Sequence, residues 1–313
     1  MAEQVNPLDR RIYWLASYPK SGSTWIRMLL NAYATGFPPD INSAFQFCRS
    51  DLHPPTFQLT CSRAVDTLTV REQMIYYPAV LLNLLHAANQ KNLYLKTHHA
   101  KVRVDDTLII PTEFSQAAVY VIRDPRDIVF SCMAHFKHED IGQSIEMLAD
   151  QGRFGLLENI GLAHAFLDWS THVKSWTTNN KDVPVLVVRY EDLLEEPENV
   201  LISIIKHFDM PELGPERIQF AVDATKFDKL QKQEKKHGFK ERVGNDLFFR
   251  RGEAGQWKEG LGMKELKLIE NKHRQMMEFF KYVPVTEGPT DGKNKTFQGE
   301  SETDGILAAG SET

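Results

Sequence analysis

One stretch near the start of the chain limits its fold more than any other. Arg11 to Tyr18 reads RIYWLASY, a run of β-forming residues closed by Pro19. It has the length and composition of a buried strand. A short loop with Gly22 follows. From Ser23 to Tyr33, the apolar residues Trp25, Ile26, Leu29, Leu30 and Tyr33 recur at helical spacing. Strand, tight loop, helix is the opening unit of an α/β fold. Such a strand needs parallel neighbours and a helical cover.

The rest of the chain supplies both. Asn92–His98, Ala117–Arg123 and Val183–Tyr190 read as further strands. Asp124-Pro125 looks like a helix N-cap with Pro at the first helical position, and the helix runs on through Met133. Further helices are predicted over Asn159–Trp176, Pro197–Phe208 and Met263–Phe280. The alternation implies a mostly parallel sheet flanked by helices on both faces. Gly36–Pro78 reads as irregular, with Pro38, Pro39, Pro54, Pro55 and the aromatics Phe37, Phe45, Phe47 and Phe57. It is either a binding surface or lid, or a surface excursion anchored by its own aromatics. From Thr286 the composition turns to Gly, Ser, Thr and acids. Residues 286–313 are therefore expected to be a disordered polar tail or linker, and 1–285 one catalytic domain.

Composition narrows the function classes. With 313 residues, 42% hydrophobic and 25% charged, the chain is neither disordered nor a disulfide scaffold. Its net charge of −5 argues against nonspecific nucleic-acid coating. That average hides a local excess: Thr225–Lys258 carries ten Lys or Arg against five acids. Three cysteines without a C-x-x-C fit a reducing compartment and give no zinc or disulfide signature. No signal peptide or membrane span is seen, so a soluble, cytoplasmic protein is expected.

The loop Pro19-Lys20-Ser21-Gly22-Ser23-Thr24-Trp25 carries the strongest chemical signal. Backbone N–H groups at a helix start, three hydroxyls and one Lys make an anion site. The alternative is an N-cap by Ser23 or Thr24 beside a solvated Lys20. The Lys precedes the Gly, so this is not a strict Walker A motif. A P-loop kinase or NTPase, with Asp124 in a Walker B place, remains a rival reading; so does a non-enzymatic nucleotide-binding module.

YPKSGSTW closely resembles the 5′-phosphosulfate loop of the cytosolic-type sulfotransferases. Four further segments match that family in order. Lys96-Thr97-His98 resembles its K-T-H. Arg123 to Ser131 (RDPRDIVFS) is similar to its 3′-phosphate segment. Tyr190-Glu191-Asp192 resembles its Y-E-D, and RRGEAGQWK from Arg250 resembles its R-K-G-x-x-G-D-W-K. The resemblance implies a P-loop-like, three-layer fold. It also implies transfer of a sulfuryl group from 3′-phosphoadenosine 5′-phosphosulfate (PAPS), leaving PAP, to an alcohol or phenol hydroxyl, with no metal ion.

By the same resemblance His98 is the general base, and Lys20 and Lys96 are the cationic clamp. Lys20, Ser21, Gly22, Ser23 and Thr24 would hold the 5′-phosphosulfate, and Arg123, Ser131, Arg250, Arg251 and Gly252 the 3′-phosphate. Tyr190, Thr225 and Trp25 would flank the nucleoside. Without that company, each residue has an ordinary alternative: His98 a structural strand end, Lys96 a surface charge, Arg123 a salt-bridge partner of Asp124 or Asp127, and Arg250-Arg251 a solvated pair. His99 points the other way on a strand. Gln256 stands where the family usually has Asp, His99-Ala100 replaces the usual residues after K-T-H, and no dimer segment follows Lys258. The aromatic that often stacks on adenine has only Phe45 and Phe47 as candidates. The acceptor pocket falls to Gly36–Pro78, His135–Leu157 and Lys232–Phe249. Phe136, Phe154, Phe239, Phe248 and Phe249 there suggest an apolar acceptor, small or carrier-bound.

Overall fold

The computed structural model describes residues 9–43, 46–88, 90–157, 161–178, 181–243 and 246–287. The strands are β1 (Arg11–Ser17), β2 (Cys48–Ser50), β3 (Asn92–Thr97), β4 (Arg103–Val104), β5 (Thr107–Leu108), β6 (Ser115–Ile122), β7 (Phe154–Leu157), β8 (Leu162–Ala165) and β9 (Val185–Arg189). Five of them form one sheet in the order β2-β3-β1-β6-β9, with every pairing parallel. The register sets Leu15 beside Lys96 and Val119, and Ala16 beside Thr97 and Tyr120.

Side chains alternate along each strand, so each face of the sheet feeds its own core. Ile12, Trp14, Ala16, Tyr120 and Ile122 pack on one side with the helices Val70–Ala87, Pro125–Phe136 and Trp169–Thr177. Tyr13, Leu15, Val119 and Val121 pack on the other with Ser23–Thr35, Pro197–His207 and Pro215–Ala224. This is the expected three-layer α/β fold. The chain leaves β1 for the β3 side and returns across it to β6, so the strand order reverses there. In open parallel sheets, a crevice opens at such a point, outside the carboxyl ends of the strands.

Two expectations fail. Residues 36–78 are not irregular throughout: helices cover Pro54–Thr60 and Val70–Ala87. Thr69 accepts from the Glu72 N–H at 3.2 Å, and Glu72 accepts from the Thr69 N–H at 2.8 Å. That reciprocal cap starts the second helix, and it runs on through Pro78. Proline usually marks a helix end; here packed neighbours Met74, Tyr77, Val80 and Leu81 hold it in place. The long helix expected over Asn159–Trp176, whose first two residues lie outside the described ones, is not seen: Leu162–Ala165 is strand β8, paired antiparallel with β7, and a helix starts only at Trp169. Leu162 to Leu167 is a short buried apolar run, in which periodicity does not separate strand from helix. Leu167 at φ +56° breaks it, and Asp168 then caps the helix through the Thr171 N–H at 3.1 Å.

The tail expected from Thr286 lies, beyond Glu287, outside the described residues. Val285 and Thr286 donate their N–H groups to Glu270 at 3.0 and 2.8 Å. Among the described residues, no helix is long and apolar enough to cross a membrane. Cys48, Cys61 and Cys132 are buried free thiols.

Candidate active site

The crevice at the strand ends is a cavity of about 1330 Å³. The loop after β1 enters it first. Lys20 takes φ +68° and Gly22 φ +105°, and the helix starts at Ser23. Gly22 is required there, since an added Cβ would lie 2.5 Å from the Tyr190 ring. Ser21 is fully buried, yet its Oγ has no partner. Ser23 and Thr24 are buried at the helix start and line the cavity, and no side chain caps this helix. An uncapped N-terminus with an orphaned buried hydroxyl fits an anion.

Lys20 lies with its Nζ 3.6 Å from the centroid of Phe248. Burial first, and the charge of Lys96 among others, push its ammonium down to about 7. Lys96 is lowered as well, by burial chiefly, then by the nearby Arg27, though Glu241 opposes this. Two ammonium groups crowd one site and await negative charge.

His98 follows directly on β3. Its Nδ1 sits 2.7 Å from the Ser17 carbonyl oxygen, which only accepts. The ring proton is therefore on Nδ1, and the lone pair is on Nε2. Burial, then Lys96, hold the imidazole well below its usual range, so it is neutral. His98 lines the cavity; His99 points away into the interior, where its Nδ1 accepts from the Ala165 N–H at 3.1 Å. The departure His99-Ala100 thus serves packing: Trp176 and the hairpin bond to this stretch.

A cluster of guanidinium groups lies at the end of β6. Arg123 donates to the carbonyls of Glu253 at 2.9 Å and Lys20 at 3.4 Å, stacks 4.3 Å over Tyr190, and keeps a buried Nε without a partner. Arg250 is lowered by burial and then by Arg251 and Arg123. Among the described residues, none of the three makes an ion pair with a carboxylate, so the salt-bridge alternative for Arg123 is not what is seen. Asp124 instead pairs with Arg126 at 2.7 Å, and Asp127 accepts from the Gly255 and Trp257 N–H groups at 2.6 and 3.0 Å. Asp127 thus anchors the loop in which Gln256 replaces Asp, while Gln256 Oε1 accepts from Arg250 at 3.0 Å. Gly252, at φ +68°, lies against Phe227: a Cβ would come within 2.3 Å of that ring.

Ser131 lines the cavity two turns into its helix. Tyr190 and half-buried Trp25 meet edge to face at 6.5 Å, and the indole Nε1 has no partner. Thr225 lines the cavity but spends its hydroxyl on the Ala221 carbonyl at 2.8 Å. Every residue that the resemblance assigns to catalysis or to PAPS, apart from fully buried Ser21, lines this one cavity. Phe45 lies outside the described residues, and Phe47 stacks on Tyr94 at 4.8 Å, in the core. Phe136, Phe154, Phe248 and Phe249 line the cavity, whereas Phe239 packs with Leu230 and Met28.

Sequence reasoning did not find Glu241, Arg153 or His164. Glu241 lines the cavity and pairs with buried Arg27 at 2.8 Å. Burial works to raise its carboxyl, but Arg27 and Lys96 outweigh that and hold it down. No motif surrounds these three residues. Among the described residues, no group of three or more His, Cys, Asp or Glu is arranged to hold a metal ion.

Fold and site together define a nucleotide-dependent group-transfer enzyme of the P-loop-like α/β class. Comparison with known proteins gives the family. A model of the Sulfotransferase domain matches residues 10–281. The chain is 22% identical to mouse Sulfotransferase 1 family member D1, over 84% of this chain and 82% of that protein. It is 23% identical to guinea-pig 3-beta-hydroxysteroid sulfotransferase, with 83% and 82% covered. In fold it is similar to retinol dehydratase in complex with androsterone and PAP, with TM-score 0.59, 21% identity, and 88% and 82% of the two chains covered. It is also similar to mouse sulfotransferase SULT7A1 complexed with PAP, with TM-score 0.57, 16% identity, and 88% and 90% covered. The chain belongs to the sulfotransferase domain family, in its cytosolic type, and is a PAPS-dependent sulfotransferase.

Proposed function

We propose that the chain sulfates an alcohol or phenol hydroxyl with His98 as general base. The observation that carries this is the 2.7 Å bond from His98 Nδ1 to the Ser17 carbonyl, which leaves a neutral Nε2 lone pair at the cavity. PAPS, when bound, supplies the sulfuryl group and departs as PAP. Its holders would be Lys20, Ser21, Gly22, Ser23 and Thr24 at the 5′ end. Arg123, Ser131, Arg250, Arg251 and Gly252 would take the 3′-phosphate, and Trp25, Tyr190 and Thr225 would flank the nucleoside. The orphaned Ser21 Oγ and Arg123 Nε, and the Gly22 and Gly252 cradles, support that fit.

His98 Nε2 takes the hydroxyl proton as the acceptor oxygen bonds sulfur. Lys20 and Lys96 face the charge that builds on the bridging and equatorial oxygens, and their desolvation strengthens that interaction. Phe136, Phe154 and Phe248 support an acceptor with an apolar body. The hydroxysteroid named for one relative and the retinol named in a related structure's complex are hydroxyl acceptors of that kind. The buried thiols support a cytoplasmic setting.

The test is sulfuryl transfer from labelled PAPS to a panel of alcohols and phenols. His98→Gln should lower kcat by about 10²- to 10⁴-fold while PAP still binds; Lys96→Ala should also lower kcat. Wild-type turnover in both variants would sink these roles. Tight ATP–Mg²⁺ binding without PAP binding would favour a kinase.

A further inference from the structure

One wall of the cavity is the hairpin β7–β8. Gly155 pairs with His164, and the Phe166 N–H donates to the Arg153 carbonyl at 3.0 Å. Paired residues share a face, so Arg153, Gly155, His164 and Phe166 form one surface, and all four line the cavity. A Cβ on Gly155 would meet nothing within 4 Å, so the surface is open at that point.

The polar groups on this wall are unmet. His164 is 4% exposed, and neither ring nitrogen has a partner. Burial keeps the ring neutral, with one N–H donor and one acceptor available. Arg153 has a buried Nε without a partner and, among the described residues, no ion pair. Its guanidinium lies 5.9 Å from the Phe166 ring. Asp150 lines the same cavity, but its Oδ1 accepts from the Gly152 N–H at 2.9 Å. Buried polar groups are rarely left like this without a ligand or water to meet them. The wall is also continuous with the proposed base: Phe166 lies 4.6 Å from His164, and His164 6.4 Å from His98, ring to ring.

We propose that the acceptor is a hydroxy acid. Its hydroxyl lies at His98, its carboxylate on the Arg153 guanidinium with the His164 N–H as a second donor, and its hydrocarbon against Phe166. This rests on the sulfotransferase reading above and sharpens it: a purely apolar acceptor would leave both groups buried and unpaired. A planar guanidinium and a carboxylate form paired, charge-assisted bonds.

The test uses matched acceptors: 4-hydroxyphenylacetate and 12-hydroxydodecanoate, each against its methyl ester. kcat/KM is measured with labelled PAPS, and binding of each acid to the PAP complex by calorimetry. Wild type should favour the acid by about tenfold or more, from one charge-assisted pair. Arg153→Gln should bring the ratio near one, mainly through KM; Arg153→Lys should keep part of it. His164→Asn should weaken acid binding by a smaller factor, and PAP affinity checks the fold of each variant. A wild-type preference for esters, an unchanged ratio in a folded Arg153→Gln, or failure of every acid to bind overturns the proposal. Turnover of esters and plain alcohols alone leaves sulfuryl transfer standing and removes only the hydroxy acid. Loss of PAP binding in the wild type removes both.

Discussion

The two ends of the cavity are built differently. The proposed phosphate end hangs on the carboxyl ends of β1, β6 and β9, and backbone bonds tie it together. Arg123 reaches the Glu253 carbonyl, and Asp127 holds the N–H groups of Gly255 and Trp257. Two glycines allow the tight fit. The proposed acceptor end is a hairpin, a helix end around His135, and the segment around Phe248, where rings meet edge to face, as His135 and Phe248 do at 6.1 Å. One end repeats a fixed chemistry on a rigid sheet; the other leaves specificity to parts that change at little cost to the fold.

Three measurements strain that contrast. The largest effect should come from Gly22→Ala. It forces a side chain into φ +105° and onto Tyr190. A conformational cost of about 1–3 kcal/mol should weaken PAP by about 5- to 150-fold and lower Tm, as read by calorimetry. Acceptor KM at saturating PAPS should move far less; an equal loss at both ends would dissolve the distinction.

Next is the pH dependence of PAP affinity. Lys20 sits near 7 in the free protein, and bound phosphate favours its charged form. Below pH 7 the ammonium is charged with or without ligand, so affinity is full. Above pH 7 binding must take up a proton, and affinity should fall by up to about tenfold per pH unit. Calorimetry in buffers of different ionisation enthalpy measures that uptake, and Lys20→Met should abolish it. A flat profile in the wild type would mean that Lys20 is not at the anion.

The smallest effect is the most diagnostic. Ser21→Ala removes a buried hydroxyl that has no partner in the free protein. Tm should therefore not fall, while PAP affinity drops about fivefold, the worth of one hydrogen bond. A lower Tm with unchanged affinity would make Ser21 a packing residue.

Legibility in the sequence followed the same division. The strand and helix spanning Arg11–Tyr33 were readable because the apolar period changes from strand to helix at a glycine loop. Asp124-Pro125 was readable because its capping chemistry is local. Lys20, Lys96, His98 and Arg123 were found because each sits at or just past a strand end, within a short pattern. Arg153 and His164 were not: they share a face only through a hairpin that the apolar run Leu162–Leu167 disguised as a helix. Glu241 reaches the cavity from a partner, Arg27, far away in sequence. Contacts made by tertiary pairing leave no period to read.

The Ser17 carbonyl that orients His98 lies only three residues before Lys20. The proposed base and phosphate loop are thus fixed to one short piece of backbone, which works as a ruler between them. Drift in the surrounding helices carries both along together. An insertion or deletion between Ser17 and Lys20 would offset one from the other while leaving each chemically intact. Such a protein would keep its fold and every side chain named here, yet be out of step with itself by one residue.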